Sequence, residues 1–305
     1  MKLNNKGFAI SSIMYIILIM AVILISVTLA ILSSRKLILD KIKQEVVYNI
    51  YTSTRSFSED SWETIAENVQ AGNLSAYKVG DKKKIKLTSE DDNSGNADGI
   101  TTGEYTIRIA NTSNEGDVCE KEYLEKADGS KEKYSKTACG FVIEFEDIIT
   151  THNMNSSNSN VGGYPASSMY TYIQNDIYNA LPKELKDVII PTYVVSGHGS
   201  TSGEENFVTE QDKVYLLSGK EVYGSDTYDT SSNLTRQLEY YSNLGVTASN
   251  KSGALKKLNG SNASWWLRSA YSYSTYDFRY VSSTGRLNNS RATNADGVAV
   301  AFRIG

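Results

Sequence analysis

Histidine is nearly absent. The 305 residues include two, His152 and His198, and neither sits in a helical H-x-x-x-H or a cysteine-rich spacing of the kind that binds zinc. The only cysteines, Cys119 and Cys139, are 20 positions apart, too few ligands for a metal site. No G-x-S-x-G elbow is present. Gly197-His198-Gly199-Ser200-Thr201-Ser202-Gly203 lacks the G-x-G-x-x-G spacing, and no helix-opening Lys follows it to hold a phosphate. Glu90-Asp91-Asp92 and the Asn/Gly-rich residues after it do not follow an EF-hand spacing and read as a solvated loop. An excess of positive charge is missing as well. With 31 basic and 35 acidic residues and a net charge of -4, the chain has no broad cationic field, and nucleic acid is set aside as a partner. These absences leave no expected catalytic residue, metal or cofactor.

What is present begins with an uncharged apolar run of 25 residues from Phe8 to Leu32. At helical rise it is long enough to cross the roughly 30 Å hydrocarbon core of a membrane. A signal peptide has a shorter apolar region of about 7–15 residues, so the run reads as a retained anchor behind a basic leader, residues 1–7. Ile38, Ile42 and Val46 continue at four-residue spacing, extending the anchor into a stalk to about residue 50. Residues 51–74, rich in Ser, Thr and Glu and closed by Gly72-Asn73, read as a linker, and residues 75–305 as one globular domain. Arg35, Lys36, Lys41 and Lys43 outnumber the basic residues before the span, so charge alone would place that domain inside the cell.

The domain reads as α+β. Ile85/Leu87, Tyr105/Ile107/Ile109 and Phe141/Ile143/Phe145 alternate with polar residues, predicting strands buried on one face. Met169, Ile173, Ile177 and Leu181 recur every fourth residue and predict a helix ending near Pro182. Val214 to Leu217 reads as a buried strand leading into a capping box, Ser218 with Glu221, and Thr235 to Tyr241 as a further helix. In an exported domain Cys119 and Cys139 are expected to pair, worth roughly 3 kcal/mol by loop entropy; in a cytoplasmic one they would stay thiols.

The last forty residues carry the functional reading. Ser264-Trp265-Trp266-Leu267-Arg268-Ser269 opens the segment, and Gly297 to Ile304 closes it as an apolar strand with Arg303 outward; Trp265, Trp266, Arg268 and Phe302 are its structural frame. Between them the composition changes to Tyr, Asn, Arg, Ser and Thr, the palette of an antibody paratope. Tyr271, Tyr273, Asp277, Arg279, Arg286, Asn288, Asn289 and Arg291 are the expected ligand-binding residues. Tyr outnumbers Phe by 21 to 7, which also favours half-wet binding surfaces.

Two resemblances sharpen this. Lys6-Gly7-Phe8-Ala9-Ile10 followed by the long apolar run resembles a type IV pilin-like start, over about the first 45 residues. That implies cleavage after Gly7 and display outside the cell, against the charge rule. Ser12 stands where such pilins carry a Glu that partners a neighbouring subunit, so assembly with pilin-like subunits is not implied by this position. The W-W-L-R-S run, Leu216-Leu217-Ser218 with Glu221, Thr235-Arg236-Gln237-Leu238 and the closing A-F-R-I resemble a family of bacterial surface domains related to the C-type lectin fold. That fold also houses formylglycine-generating enzymes and the variable proteins of diversity-generating retroelements. Val300 replaces the usual Pro of the closing pattern, and the E-P-N or Q-P-D sugar motif of calcium-dependent lectins is missing. The expectation is a membrane-anchored, extracellular C-type-lectin-like protein that binds a protein or glycan, with a formylglycine-generating-type enzyme and a structural minor pilin as alternatives. The replaceable adenines of an Asn codon reach Ser, Tyr, Asp, Thr and Ala, so the insert has the composition of a retroelement-diversified segment.

Overall fold

The computed structural model describes residues 5–54, 56–89, 97–201 and 205–305, with side chains of the N-terminal helix described over 14–45. Residues 1–4, the Glu90-Asp91-Asp92 loop and residues 202–204 lie outside this set. Two compact units divide the chain, Met1–Arg55 and Ser56–Gly305.

The first unit is one helix of 50 residues, Asn5–Thr54. Its stretch Met14–Glu45 is long and apolar enough to cross a membrane. Ser26, Thr28 and Ser34 each return a hydroxyl to the carbonyl four residues back, so these polar groups find partners inside the helix.

The second unit is α+β and is built on two sheets. The larger has the order β1 (Lys82–Leu87), β2 (Gly103–Asn111), β5 (Phe141–Phe145), β17 (Val300–Ile304), β10 (Tyr215–Leu216), with β7 (Ile189–Ile190) also paired to β17. The smaller runs β15 (Leu287–Arg291), β14 (Asp277–Val281), β13 (Trp265–Ala270), β16 (Ala295–Val298), β6 (Thr150–Asn153). Three ribbons flank them: β3 (Tyr123–Glu125) with β4 (Lys131–Lys133), β8 (Thr192–Ser196) with β9 (Phe207–Asp212), and β11 (Lys256–Leu258) with β12 (Ser261–Ala263). The closing apolar run is cut at Ala299. Its first part, β16, serves the smaller sheet and its second, β17, the larger, so the chain end ties the two together.

Successive strand residues point to opposite faces, and the tryptophan pair uses this. Trp265 enters a cluster with Tyr215, Leu217 and Tyr241, while Trp266 enters the main core with Phe141, Phe145 and Phe302. Each buried indole N–H is spent on a carbonyl, Ala254 at 3.0 Å and His152 at 2.8 Å.

Residues expected as a linker belong to the core instead. Phe57, Trp62 and Ile65 are buried in it, and Ser61 caps a helix over Trp62–Gln70 by accepting from the Thr64 amide. The Ser, Thr and Glu enrichment there is the wet side of an amphipathic helix whose dry side, Trp62, Ile65, Ala66 and Val69, follows the i, i+3, i+4, i+7 rule. Met169, Ile173, Ile177 and Leu181 are buried as expected, although the helix widens to π geometry over Ile173–Ile177. The helix expected over 235–241 starts later, at Glu239, because Leu238 is held extended, with its amide donating to the Glu221 carbonyl. Cys119 and Cys139 are joined in a disulfide with Cα atoms 5.5 Å apart.

β5 departs from the one-sided expectation most sharply, since all five residues are buried. Glu144 lies between two cations, accepting from Arg108 Nε at 2.9 Å and Lys256 Nζ at 3.0 Å, and from the Tyr241 hydroxyl at 2.7 Å. Burial alone would raise its carboxyl, but Arg108 and Lys256 outweigh that and hold it below its ordinary value. Two cations share one anion, and the ammonium yields: burial, with Arg108 adding repulsion, pushes Lys256 down to about 8. The unfolded chain, with Lys256 at 10.5, binds more protons than the folded one above pH 8. Stability from this group therefore rises with pH from about 8 to 10, by on the order of 2 kcal/mol. Above that the buried tyrosines Tyr164, Tyr215 and Tyr241, all raised by burial, reverse the trend. Urea titrations of Lys256→Met are expected to lack the rise between pH 8 and 10; an unchanged rise would show that another group carries it.

Candidate functional site

The site is built on the short loop between β13 and β14. Tyr271 closes it by donating its amide to the Asp277 carbonyl at 3.1 Å. Asn160, fully buried beneath, clamps it: its Nδ2 donates to the carbonyls of Ser274 at 2.7 Å and Asp277 at 2.8 Å, and its own amide to Thr275 at 2.7 Å. A third segment is tied in where the Ser272 amide donates to the Tyr228 carbonyl at 3.0 Å.

Three tyrosines meet on this base. The Tyr228 and Tyr271 ring centroids are 5.3 Å apart, Tyr228 and Tyr273 5.4 Å, and Tyr271 and Tyr273 6.0 Å. Tyr273 is 77% exposed and Tyr228 40%. Beneath them the Arg279 guanidinium lies 5.4 Å from the Tyr228 ring and 5.5 Å from Tyr271, close enough for cation–π attraction to both. Arg279 Nε donates to Asp226 Oδ2 at 3.1 Å, and burial raises the Asp226 carboxyl above its usual range although Arg279 opposes this.

The expected binding residues divide accordingly. Tyr271 and Tyr273 come together, and Arg291, exposed, ends β15 opposite Asp277, where the loop rejoins β14. Arg279 and Asp277 are only 5% and 7% exposed; Arg279 supports the tyrosines from below, and Asp277 accepts from Asn289 Nδ2 at 3.0 Å. Neither presents itself as a contact residue. The reason is register. Asp277↔Arg291 and Arg279↔Asn289 share one face of the β14–β15 pair, and that face turns toward Asp226. Asn288 opposes Tyr280, on the other face, where Tyr280 packs on Trp266. Arg286 lies in the hairpin turn beyond Leu287, about 17 Å along the strand from Arg291 at 3.4 Å per residue.

Sequence reading missed Tyr228, Asp226 and Asn160. Ser225-Asp226-Thr227-Tyr228-Asp229-Thr230 has the same Ser, Thr, Asp and Tyr palette as the insert, which was the available signal. The nearby acids are committed internally: Asp229 accepts from Ser231 and Ser269, Asp226 from Arg279, and Asp277 from Asn289. His152 stacks on Tyr172 with centroids 4.2 Å apart. Among the described residues no three His, Cys, Asp or Glu side chains gather as metal ligands would.

Residues 141–305, more than half of the chain, match the model of a family described as a domain of unknown function, DUF6273. The chain belongs to the DUF6273 family. No curated protein and no solved structure matches it. The tyrosine loop, Asn160, Asp226, Tyr228 and the strands that carry them all fall inside the DUF6273 region, whereas the disulfide and the β3–β4 ribbon precede it.

Asn160→Ala leaves the Ser274 and Asp277 carbonyls without their buried donor and is expected to cost about 1–3 kcal/mol. Amide hydrogen exchange over residues 271–277 should accelerate in this variant more than exchange in β5. Uniform acceleration throughout the domain would mean that Asn160 supports the whole fold and has no special hold on the loop.

Proposed function

We propose that this protein is a membrane-anchored, outward-facing binding protein of pilin-like entry and C-type-lectin-like domain. Its recognition surface is the tyrosine cluster Tyr228, Tyr271 and Tyr273, with Arg291 at the edge. The observation that carries this reading is the exposure of those rings over an immobilised base of Arg279, Asp226 and Asn160. Rigid aromatic anchors lose little entropy on binding, and Tyr and Arg dominate binding energy at protein interfaces. The partner is an extracellular protein, because the acids that would accept the hydroxyls of a sugar here are turned inward.

Protease treatment of intact cells is expected to release the globular unit. Release only after lysis would put the domain inside and end this proposal. Crosslinking through position 273 should identify the partner. Replacing Tyr228 and Tyr273 by Ala should then weaken its binding more than fivefold per residue, each costing over about 1 kcal/mol. Asn288→Ala, on the other face, should leave affinity unchanged.

Retroelement diversification of the insert remains part of the proposal, with a restriction set by burial. Variation is tolerable at Tyr271, Tyr273, Arg286, Asn288 and Arg291 but not at Asp277 and Arg279, which are committed to Asn289 and Asp226. Sequencing the flanking DNA should reveal a near-copy of the final coding segment that differs at adenines and spares the codons of Asp277 and Arg279. A copy that varies those two codons as freely as the others would contradict the burial argument.

A further inference from the structure

A second concave site lies away from the tyrosine faces. A cavity of about 550 Å³ opens between the β3–β4 ribbon, His198 and Asn206 from the connection between β8 and β9, and residues 230–234. That volume falls within the roughly 300–1,000 Å³ range of small-molecule sites. It shares one segment with the tyrosine surface, since Tyr228 belongs to the cluster and Thr230 to the cavity wall.

The wall is prearranged. Asn206 Nδ2 donates to Glu132 Oε1 at 3.0 Å and to the Thr230 carbonyl at 3.3 Å, while Thr230 Oγ1 donates to Asn206 Oδ1 at 2.7 Å and accepts from the His198 amide at 3.1 Å. An amide, a carboxylate and a hydroxyl are thus fixed side by side, their donors spent on one another and their remaining oxygen lone pairs left as acceptors. The floor is apolar: Val195 and Leu234 line the cavity and are buried in one cluster with Tyr134. At the rim stands Tyr123, 40% exposed, and beside it the exposed amide of Asn233. His198 Nδ1, on the same wall, is buried and has no partner among the described residues, an unmet hydrogen-bonding group of the kind that a ligand or ordered water satisfies.

Charge selects among ligands. Each lysine of the cavity already faces a carboxylate: Lys126 with Glu132 at 3.0 Å, Lys131 with Glu125 at 2.9 Å, and Lys133 with Glu122 at 3.5 Å and Glu210 at 3.9 Å. Little net field remains to hold a free phosphate or carboxylate. A fixed set of acceptors, its one carboxylate balanced by Lys126, above an apolar floor and with an aromatic ring at the rim, matches a molecule with donating hydroxyls around its edge and an apolar C–H face. We propose that this cavity binds a neutral saccharide. Asn206, Glu132 and Thr230 contact its hydroxyls, and Tyr123 covers its C–H face.

The full-length chain in detergent micelles, applied to an array of neutral and sialylated oligosaccharides, tests this, followed by calorimetric titration of the best neutral saccharide and of inorganic phosphate. Saturable binding of a neutral saccharide is expected. Asn233→Arg, an exposed position whose longer side chain fills the rim, should weaken it at least tenfold, and Tyr123→Ala severalfold, with thermal unfolding unchanged in both. Tyr273→Ala should leave saccharide affinity intact, which separates this site from the tyrosine surface. Failure of every neutral saccharide, binding of phosphate or sialylated probes alone, or loss of saccharide binding in Tyr273→Ala but not in Asn233→Arg would each overturn the proposal.

Discussion

The globular unit hangs on one buried ion pair. Arg268, in the middle of β13, grips Glu221 with both terminal nitrogens at 2.6 Å, and neither side chain reaches solvent. Taking two such charges out of water costs several kcal/mol each, which is recovered only when every remaining donor and acceptor is met. Here they are met by separate parts of the chain. Arg268 also donates to the carbonyls of Leu216 at 2.9 Å and Val195 at 3.3 Å, while Glu221 accepts from the Ser218 amide at 2.9 Å and the hydroxyls of Thr235, at 2.8 Å, and Thr137. Burial would raise the Glu221 carboxyl, and the Arg268 charge more than offsets this, holding it ionised. Four segments, around Thr137, Val195, Leu216–Glu221 and Thr235, are thereby fixed to β13. The capping box at Ser218 is part of the same arrangement, because the Glu221 that closes the box is the Glu221 that meets Arg268.

From that pair the route to the surface is short. Ser269 follows Arg268 and donates to Asp229, which orients the segment carrying Tyr228, and Ala270 ends the strand just before the tyrosine loop. Tyr273 is exposed, but the backbone of Tyr271 and Tyr273 is the continuation of β13, all six of whose residues are buried. A loop held this way reaches its binding conformation before any partner arrives, and the entropy of ordering it falls on folding and not on association.

Much of this was legible in the sequence, and the parts that were not share a cause. The strands of the larger sheet, the Met169–Leu181 stripe and the capping box follow local periodicity, and local rules suffice for them. The assignment of Asp277 and Arg279 to the binding surface rested on composition, which does not say which way a side chain points. In a strand pair that direction is set by register with β15 and by Asp226, some fifty residues earlier in the chain, and neither is visible in a local window. Glu144, on the face of its strand expected to be polar, is buried for the same reason: its partner Lys256 lies more than a hundred residues away in the chain. The linker misreading has a different origin. A short amphipathic helix with a wet Ser, Thr and Glu face resembles a polar connector unless the apolar spacing of Trp62, Ile65, Ala66 and Val69 is given more weight than composition.

The buried charges and the exposed tyrosines impose opposite constraints on one stretch of chain. Arg268 and Arg279 are each bound by a carboxylate that would be left buried and unpaired by substitution, a loss that commonly costs several kcal/mol for a charged group. Tyr273, Asn288 and Arg291 face water, where substitutions usually move stability by less than about 0.5 kcal/mol. The two kinds of residue lie within some twenty positions of one another: Arg268 and Arg279 stand on the inner strands β13 and β14, while Tyr273 lies in the loop between them and Asn288 and Arg291 on the edge strand β15. A frame that resists change and a surface that accepts it can therefore be interleaved without a separate scaffold, because loop and edge-strand positions carry the variation and the inner strands carry the buried charges.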